Sequence, residues 1–124
     1  MSAKISFESE IIDGDILTIV LRGDLDSVPT SDFEQEIQGH LDKGHKKIII
    51  DCRYLGYISS IGIGSLVALK ARLAKRGGTV KLAAIQGPVM QVLRIVRLDK
   101  VLDIYGDLEF ARQSFHDKEP TAEA

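Results

Sequence analysis

The chain has 124 residues, 44% of them hydrophobic and 27% charged, which is typical of one folded domain with a single core. Its formal net charge of −2 gives no support to broad nucleic-acid binding, and its single cysteine, Cys52, excludes an internal disulfide and a CxxC redox motif. Because no signal peptide and no apolar run of about 18 residues is visible, the sequence predicts a cytoplasmic protein without membrane insertion.

A β-hairpin is predicted at the start of the chain. Residues 5–9 alternate apolar and polar side chains, which is typical of a half-buried strand, and residues 16–21 form a second apolar run. The turn signal Asp-Gly-Asp at residues 13–15 joins the two strands. Residues 23–26, Gly-Asp-Leu-Asp, leave the second strand and are expected to form a loop.

Helices and strands alternate after the hairpin. A helix is predicted to begin at residues 29–31, because Phe33, Ile37 and Leu41 recur at helical spacing. The further elements, in chain order, are a buried strand over 47–52, a helix from Ser59 and Ser60 to the glycines at 77–78, a strand over 79–85, a helix from 87–88 to 98–100, a strand over 101–105 and a helix over 107–115. This order predicts an α/β single domain with a mainly parallel central sheet, an N-terminal β-hairpin and about four helices.

Residues 46–78 contain the strongest functional signal. The continuous β-branched run within residues 47–52 predicts a strand that is covered on both faces. After it, Ser59 and Ser60 stand where a helix begins, beside unpaired backbone N–H groups and partial positive charge. A hydroxyl in that position either caps the helix or carries a phosphate that the helix end stabilises, and residue type alone leaves both interpretations open.

For the other candidate residues, a purely structural role is weighed against a functional one. Asp24 and Asp26 have the form of paired carboxylates, but without a matching histidine or further acid a solvated loop is the better interpretation. Cys52, at the end of a strand, is expected to be a small apolar residue rather than a reactive thiol. Gly62 and Gly64 either permit close helix packing or let a partner approach the backbone.

No metal, nucleotide or catalytic-triad motif is visible in the sequence. Gly62 and Gly64 lack the third glycine of a dinucleotide fingerprint, because position 67 is Val67, and no Walker A sequence exists. No metal site is expected from the scattered histidines, which are His40, His45 and His116. A solvated helix face, with binding of an acidic partner as the minor alternative, is expected for Lys70, Arg72, Lys75 and Arg76.

Three segments together resemble the STAS domain, specifically the stand-alone anti-sigma factor antagonists of bacterial partner-switching systems. The first is Gly-Asp-Leu-Asp at residues 23–26, which is similar to the family's G-x-L-D. The second is the apolar strand at 48–51 followed by residues 57–64, where the family has D-S-[ST]-G-L-G. The third is the glycine pair at residues 77–78 before a strand.

The resemblance also implies which residues form the site. When the family pattern is aligned with this sequence, its phosphorylatable serine corresponds to Ser60, and its two glycines correspond to Gly62 and Gly64. Two positions depart from the pattern: Ser59 replaces the aspartate and Ile61 replaces the second hydroxyl residue. Ser59 therefore remains a second candidate for phosphorylation. The resemblance assigns partner contact to Asp24, Asp26, Ser59, Ser60, Gly62 and Gly64.

By the same resemblance, a STAS-like fold spans residues 4–115, and residues 116–124 form a flexible C-terminal tail. The chain is then a reversible binding switch with no enzymatic activity and no cofactor. Its dephosphorylated form sequesters an anti-sigma factor that is also a serine kinase, this kinase phosphorylates it, and a PP2C-type phosphatase reverses the modification. The alternatives are a STAS adaptor in a transporter or signalling complex that is never phosphorylated, and a small enzyme or nucleotide-binding domain, which rests on α/β architecture alone.

Overall fold

The computed structural model describes residues 5–116, without the side chains of residues 27–31. The predicted order of strands and helices is confirmed. In chain order the elements are β1 (Ile5–Ile12), β2 (Ile16–Leu25), α1 (Ser27–Asp42), β3 (Lys47–Ile58), α2 (Ser60–Lys75), β4 (Thr79–Ala83), α3 (Gly87–Ile95), β5 (Ile104–Tyr105) and α4 (Leu108–His116).

The five strands form one sheet in the order β1-β2-β3-β4-β5. The β1–β2 hairpin is antiparallel, and the three other neighbouring pairs are parallel. Parallel neighbours need a crossover, and α1, α2 and α3 provide these connections. The prediction of an α/β domain with a mainly parallel sheet, an N-terminal hairpin and four helices is confirmed.

The sheet has a large core on one face and a small core on the other. On the first face α1, α2 and α3 contribute buried residues such as Phe33, Leu69 and Leu93. On the second face α4 packs against the sheet, and its only fully buried residue is Ala111. The buried residues of this second core are Ile16, Ile49, Ala83 and Ala111. Partly buried apolar side chains, among them Leu108 and Phe115 of α4, pack around this small core, and polar contacts add to the attachment of the helix.

The strands next to the site are longer than predicted. Strand β3 continues through the expected loop to Ile58, and β2 continues to Leu25, so that Asp24 lies in a strand. The pairing of β2 with β3 shifts register between Val20 and Arg22 and again after Gly23, and β3 carries the additional residue at each shift. Such bulges interrupt the alternation of inward and outward side chains, so the pattern that marks a strand is lost.

The end of α3 also differs from the prediction. The helix stops at Ile95 rather than at residues 98–100, because Arg97 adopts a left-handed φ of 64°. Two hydrogen bonds close this end: Arg97 N donates to Arg94 O over 3.0 Å, and Leu98 N donates to Leu93 O over 2.8 Å. This is the usual glycine-type helix ending built without a glycine, so the sequence carries no signal for it.

Smaller differences concern element boundaries. Helix α1 begins at Ser27 rather than at residues 29–31, and β5 comprises Ile104–Tyr105 rather than residues 101–105. His116 belongs to α4 and not to a flexible tail. The remainder of the predicted tail, residues 117–124, lies outside the described residues, as does residue 4 at the predicted domain start. Within the described range, no helix has the length and apolar character that crossing a membrane requires.

Candidate functional site

Ser59 and Ser60 lie at the edge of the sheet where the parallel strands β2 and β3 end. Open α/β folds usually place their sites at this edge. The Ser59 backbone N–H donates to the carbonyl oxygen of Leu25 over 3.0 Å, which ties the start of α2 to the end of β2. This bond brings Asp24 and Asp26, the neighbours of Leu25 in the chain, to the same edge as the two serines.

Ser59 is the N-cap of α2. Its φ and ψ of −92° and 173° are extended, and its hydroxyl oxygen accepts a hydrogen bond from Gly62 N over 3.1 Å. Its carbonyl accepts the first bond of the helix, from Ile63 N over 2.8 Å. Serine and aspartate are both strong N-cap residues, so the replacement of the family's aspartate by Ser59 preserves the cap.

Ser60 is the first residue of α2, and its side chain is exposed. Since Ser59 makes the capping bond, the capping interpretation holds for Ser59 and not for Ser60. Among the residues whose side chains the structure describes, none forms a hydrogen bond with the Ser60 hydroxyl. The first turn of α2 contains no acidic residue that would oppose an anion at the positive end of the helix. This hydroxyl is therefore accessible and lies where a phosphate would be stabilised.

The two glycines of α2 have different surroundings. A Cβ on Gly62 would lie 2.4 Å from the carbonyl oxygen of Leu25 and 3.0 Å from Cγ1 of Ile58, so this glycine lets the helix sit on the ends of β2 and β3. A Cβ on Gly64 would meet nothing within 4 Å, and this position is exposed. Close packing is thus the role of Gly62, whereas Gly64 leaves an open surface.

Asp24 and Asp26 are both half-buried rather than fully solvated. Asp24 is the penultimate residue of β2, and Asp26 follows that strand and takes part in a polar interaction. A Cβ on Gly56 would lie 3.2 Å from Oδ1 of Asp24, so the glycine makes room for this carboxylate. The structure thus places the two carboxylates at the same end of the sheet as the serines.

Two exposed residues at this edge were missed as candidates. Tyr57, the penultimate residue of β3, is 50% exposed. Ile61, the second residue of α2, is 55% exposed. Large apolar side chains held open to solvent are frequent at binding surfaces. The sequence marks Ile61 only as a departure from the family pattern, and the exposure of Tyr57 depends on the bulged course of β3.

The remaining candidates do not join the site. Cys52 is fully buried, and burial raises the pKa of its thiol to about 12, which confirms a small apolar residue. Arg72 donates to the side chain of Gln38, and Arg76 donates to the carbonyl of Leu41 over 2.9 Å, so these two cations hold α2 to α1. The expected solvated face is therefore wrong for the half-buried Arg72, although it holds for the exposed Lys70, Lys75 and Arg76.

The histidines lie apart from the serines. The His40 and His45 rings are 5.8 Å apart, and His40 Nε2 lies 2.9 Å from a carboxylate oxygen of Glu36. His116 lies beside Asp13, at the other edge of the sheet. Across residues 5–116, no group of three or more histidine, cysteine or acidic side chains is arranged to hold a metal ion.

The chain belongs to the STAS domain family, because the model of that domain matches residues 6–111. Among curated sequences, BtrV of Bordetella bronchiseptica, whose name gives it as a candidate anti-sigma factor antagonist, is 27% identical over 104 residues. That match covers 84% of this chain and 89% of BtrV.

Solved structures share the fold. A protein from Thermotoga maritima, named as a candidate anti-sigma factor antagonist, superposes with a TM-score of 0.81 at 23% identity, over 90% of this chain and 95% of that one. The anti-sigma factor antagonist SpoIIAA in its unphosphorylated form gives a TM-score of 0.75 at 19% identity, over 92% and 100% of the two chains. The phosphorylated form of Bacillus SpoIIAA gives 0.67 at 19% identity, over 88% and 99%.

Proposed function

We propose that this chain is an anti-sigma factor antagonist that works as a phosphorylation-controlled binding switch in the cytoplasm. In its dephosphorylated form it sequesters an anti-sigma factor that is also a serine kinase. That kinase phosphorylates Ser60 and the complex dissociates, and a PP2C-type phosphatase returns the chain to its binding form. The chain itself supplies a surface and a hydroxyl, and the catalytic groups belong to its partners. Membership of the STAS family and the names of the relatives support this class of function.

The observation that carries the proposal is that the two serines have different positions, one capping α2 and the other exposed at its first residue. Ser59 holds the helix cap, so modification of its neighbour leaves the cap intact. Ser60 is exposed at the positive end of a 16-residue helix, where a visiting active site can reach it. The rest of the proposed contact surface is formed by Asp24, Asp26, Ser59 and Gly64, while the buried Gly62 acts by seating the helix.

Phosphate on Ser60 would change the binding energy through charge and solvation. It adds about −1.5 to −2 charges and three acceptor oxygens. In the free protein the N-terminus of α2 and water both stabilise this charge. In a complex the same charge loses its water, and a loss of about 3–4 kcal/mol weakens binding by about two to three decades. Such a change is sufficient for a switch.

The test is to recover the chain and its partners from native cells and to map phosphate by mass spectrometry. We expect one phosphate, on Ser60, together with a co-purifying serine kinase. Ser60→Ala should abolish the modification, whereas the matched variant Ser59→Ala should keep it. Phosphate on Ser59, or phosphate that persists in Ser60→Ala, contradicts the assignment. A partner that co-purifies with a chain that is never phosphorylated would favour the adaptor alternative.

A further inference from the structure

The exposed face of α2 next to Ser60 carries no charge. Between residues 60 and 68 the helix exposes four residues, which are Ser60, Ile61, Gly64 and Ala68. A helix on a protein surface normally turns polar and charged side chains toward water, yet the first charged residue of this helix is Lys70. The exposed surface of this part of α2 is therefore small and apolar, and the charges nearest to it, Asp24 and Asp26, lie at the end of β2 and directly after it.

Ile61 is the one large exposed side chain between residues 60 and 68 of α2. It is 55% exposed, directly follows Ser60, and stands in the turn that Ser59 caps. Gly64, one turn further on, has open space on its outer side, and Ile61 stays exposed among the described residues. An exposed apolar side chain surrounded by small residues is suited to insertion into a partner's pocket.

On the basis of the proposed function, we infer that Ile61 is the apolar anchor of the contact with the anti-sigma factor, and that it occupies an uncharged pocket on that partner. Phosphate on Ser60 then lies at the border of an apolar contact. It opposes binding because it must lose its water on entering that contact. Unlike repulsion between exposed charges, this effect does not depend on screening by salt.

The first test measures the affinity of the anti-sigma factor identified in the purification above, produced in pure form, by calorimetry. Ile61→Ser should raise Kd about 10- to 100-fold, since burial of an isoleucine side chain is lost. Ile61→Leu should bind nearly as the wild type does. Ile95→Ser is the matched control, because Ile95 is 78% exposed on α3. Thermal melting verifies that each variant is folded. Unchanged binding by Ile61→Ser, or an equal loss in Ile95→Ser, overturns the inference.

The second test compares phosphorylated and unphosphorylated chain at ionic strengths of about 0.1 M and 1 M, where the Debye length falls from about 10 to 3 Å. We expect the fold-difference in Kd between the two forms to persist at high salt. A difference that largely disappears at high salt would indicate repulsion and reject the desolvation mechanism. Absence of phosphate on Ser60 would reject the proposed function, whereas normal phosphorylation with full binding by Ile61→Ser would reject the anchor alone.

Discussion

At the scale of single residues, the two glycines of α2 separate packing from binding. Gly62 faces a backbone carbonyl that belongs to β2 and cannot move without disturbing the sheet, while Gly64 faces solvent. The same residue type thus has two roles, only two positions apart, and a pair of identical substitutions distinguishes them.

We predict opposite effects of alanine at these two positions. Gly62→Ala should lower the free energy of unfolding by about 1–3 kcal/mol or more, because its Cβ would lie 2.4 Å from the Leu25 carbonyl oxygen. Gly64→Ala should raise it by up to about 1 kcal/mol, because alanine favours the helix and meets no neighbour. Urea unfolding measures both values. A Gly62→Ala protein that unfolds at the wild-type midpoint would contradict the packing role.

At the scale of elements, α4 is attached to the sheet by polar contacts as well as by its small apolar core. The buried Lys81 of β4 donates to the Ser114 hydroxyl over 2.6 Å, and its Nζ lies 4.4 Å from the Phe115 ring. Arg112 forms ion pairs with Asp13 in the hairpin turn, at 2.8 Å, and with Glu109. These contacts join the last helix to the first turn of the chain.

The ion pairs of Arg112 should make the attachment of α4 sensitive to acid. Hydrogen bonds from Arg112 lower the pKa of the Asp13 carboxyl below its ordinary value of 3.8 and that of Glu109 below its ordinary value of 4.5. A hydrogen bond with His116 adds to the lowering of the Asp13 pKa. A carboxyl group whose pKa is lowered by folding stabilises the fold above its ordinary pKa, and this contribution is lost as the pH falls through the lowered value.

We therefore expect Arg112→Gln to melt at a lower temperature than the wild type at neutral pH. The difference should disappear once both carboxyl groups are protonated, below pH 3.8. Thermal melts across the acid range measure this. Arg94→Gln is the matched control, because Arg94 is an exposed helix cation with no ion pair to any described residue. A difference that stays constant through the acid range would exclude the ion pairs as its cause.

Much of the architecture was predictable because most elements carry their own local signal. The spacing of Phe33, Ile37 and Leu41 marks α1, and the φ of 76° at Gly77 ends α2 where the glycine pair predicts. The full length of β3 was not predictable, because its bulges depend on pairing with a distant strand. The left-handed Arg97 carries no sequence signal for the end of α3.

The start of α2, where the candidate site lies, was predictable to within one residue. The sequence places two hydroxyl residues at a helix start. Which of them caps the helix depends on the residue at which β3 ends and α2 begins. The structure assigns this role to Ser59, through its bond to Gly62. The exposure of Ile61 also depends on where the helix begins relative to the sheet, so it could not be derived from residue type.

At the scale of the whole molecule, Cys52 should report global unfolding. Its Sγ–H donates to the carbonyl of Ile50 over 3.6 Å within the main core, and burial raises its pKa to about 12. We predict no reaction with a thiol reagent in native buffer and complete reaction in denaturing urea, because the thiolate forms only when the core opens. Stoichiometric labelling of the native protein would contradict the structure at this position.

The two ends of the described chain lie at opposite edges of the sheet. Ile5 pairs with Gly23, near the end of β2 that leads to the serines. His116 Nε2 lies 2.6 Å from the Asp13 carboxylate, at the hairpin edge. The described chain therefore begins at the end of the sheet that binding experiments probe and finishes at the opposite end. Bait proteins for affinity capture are best tagged at the carboxyl terminus.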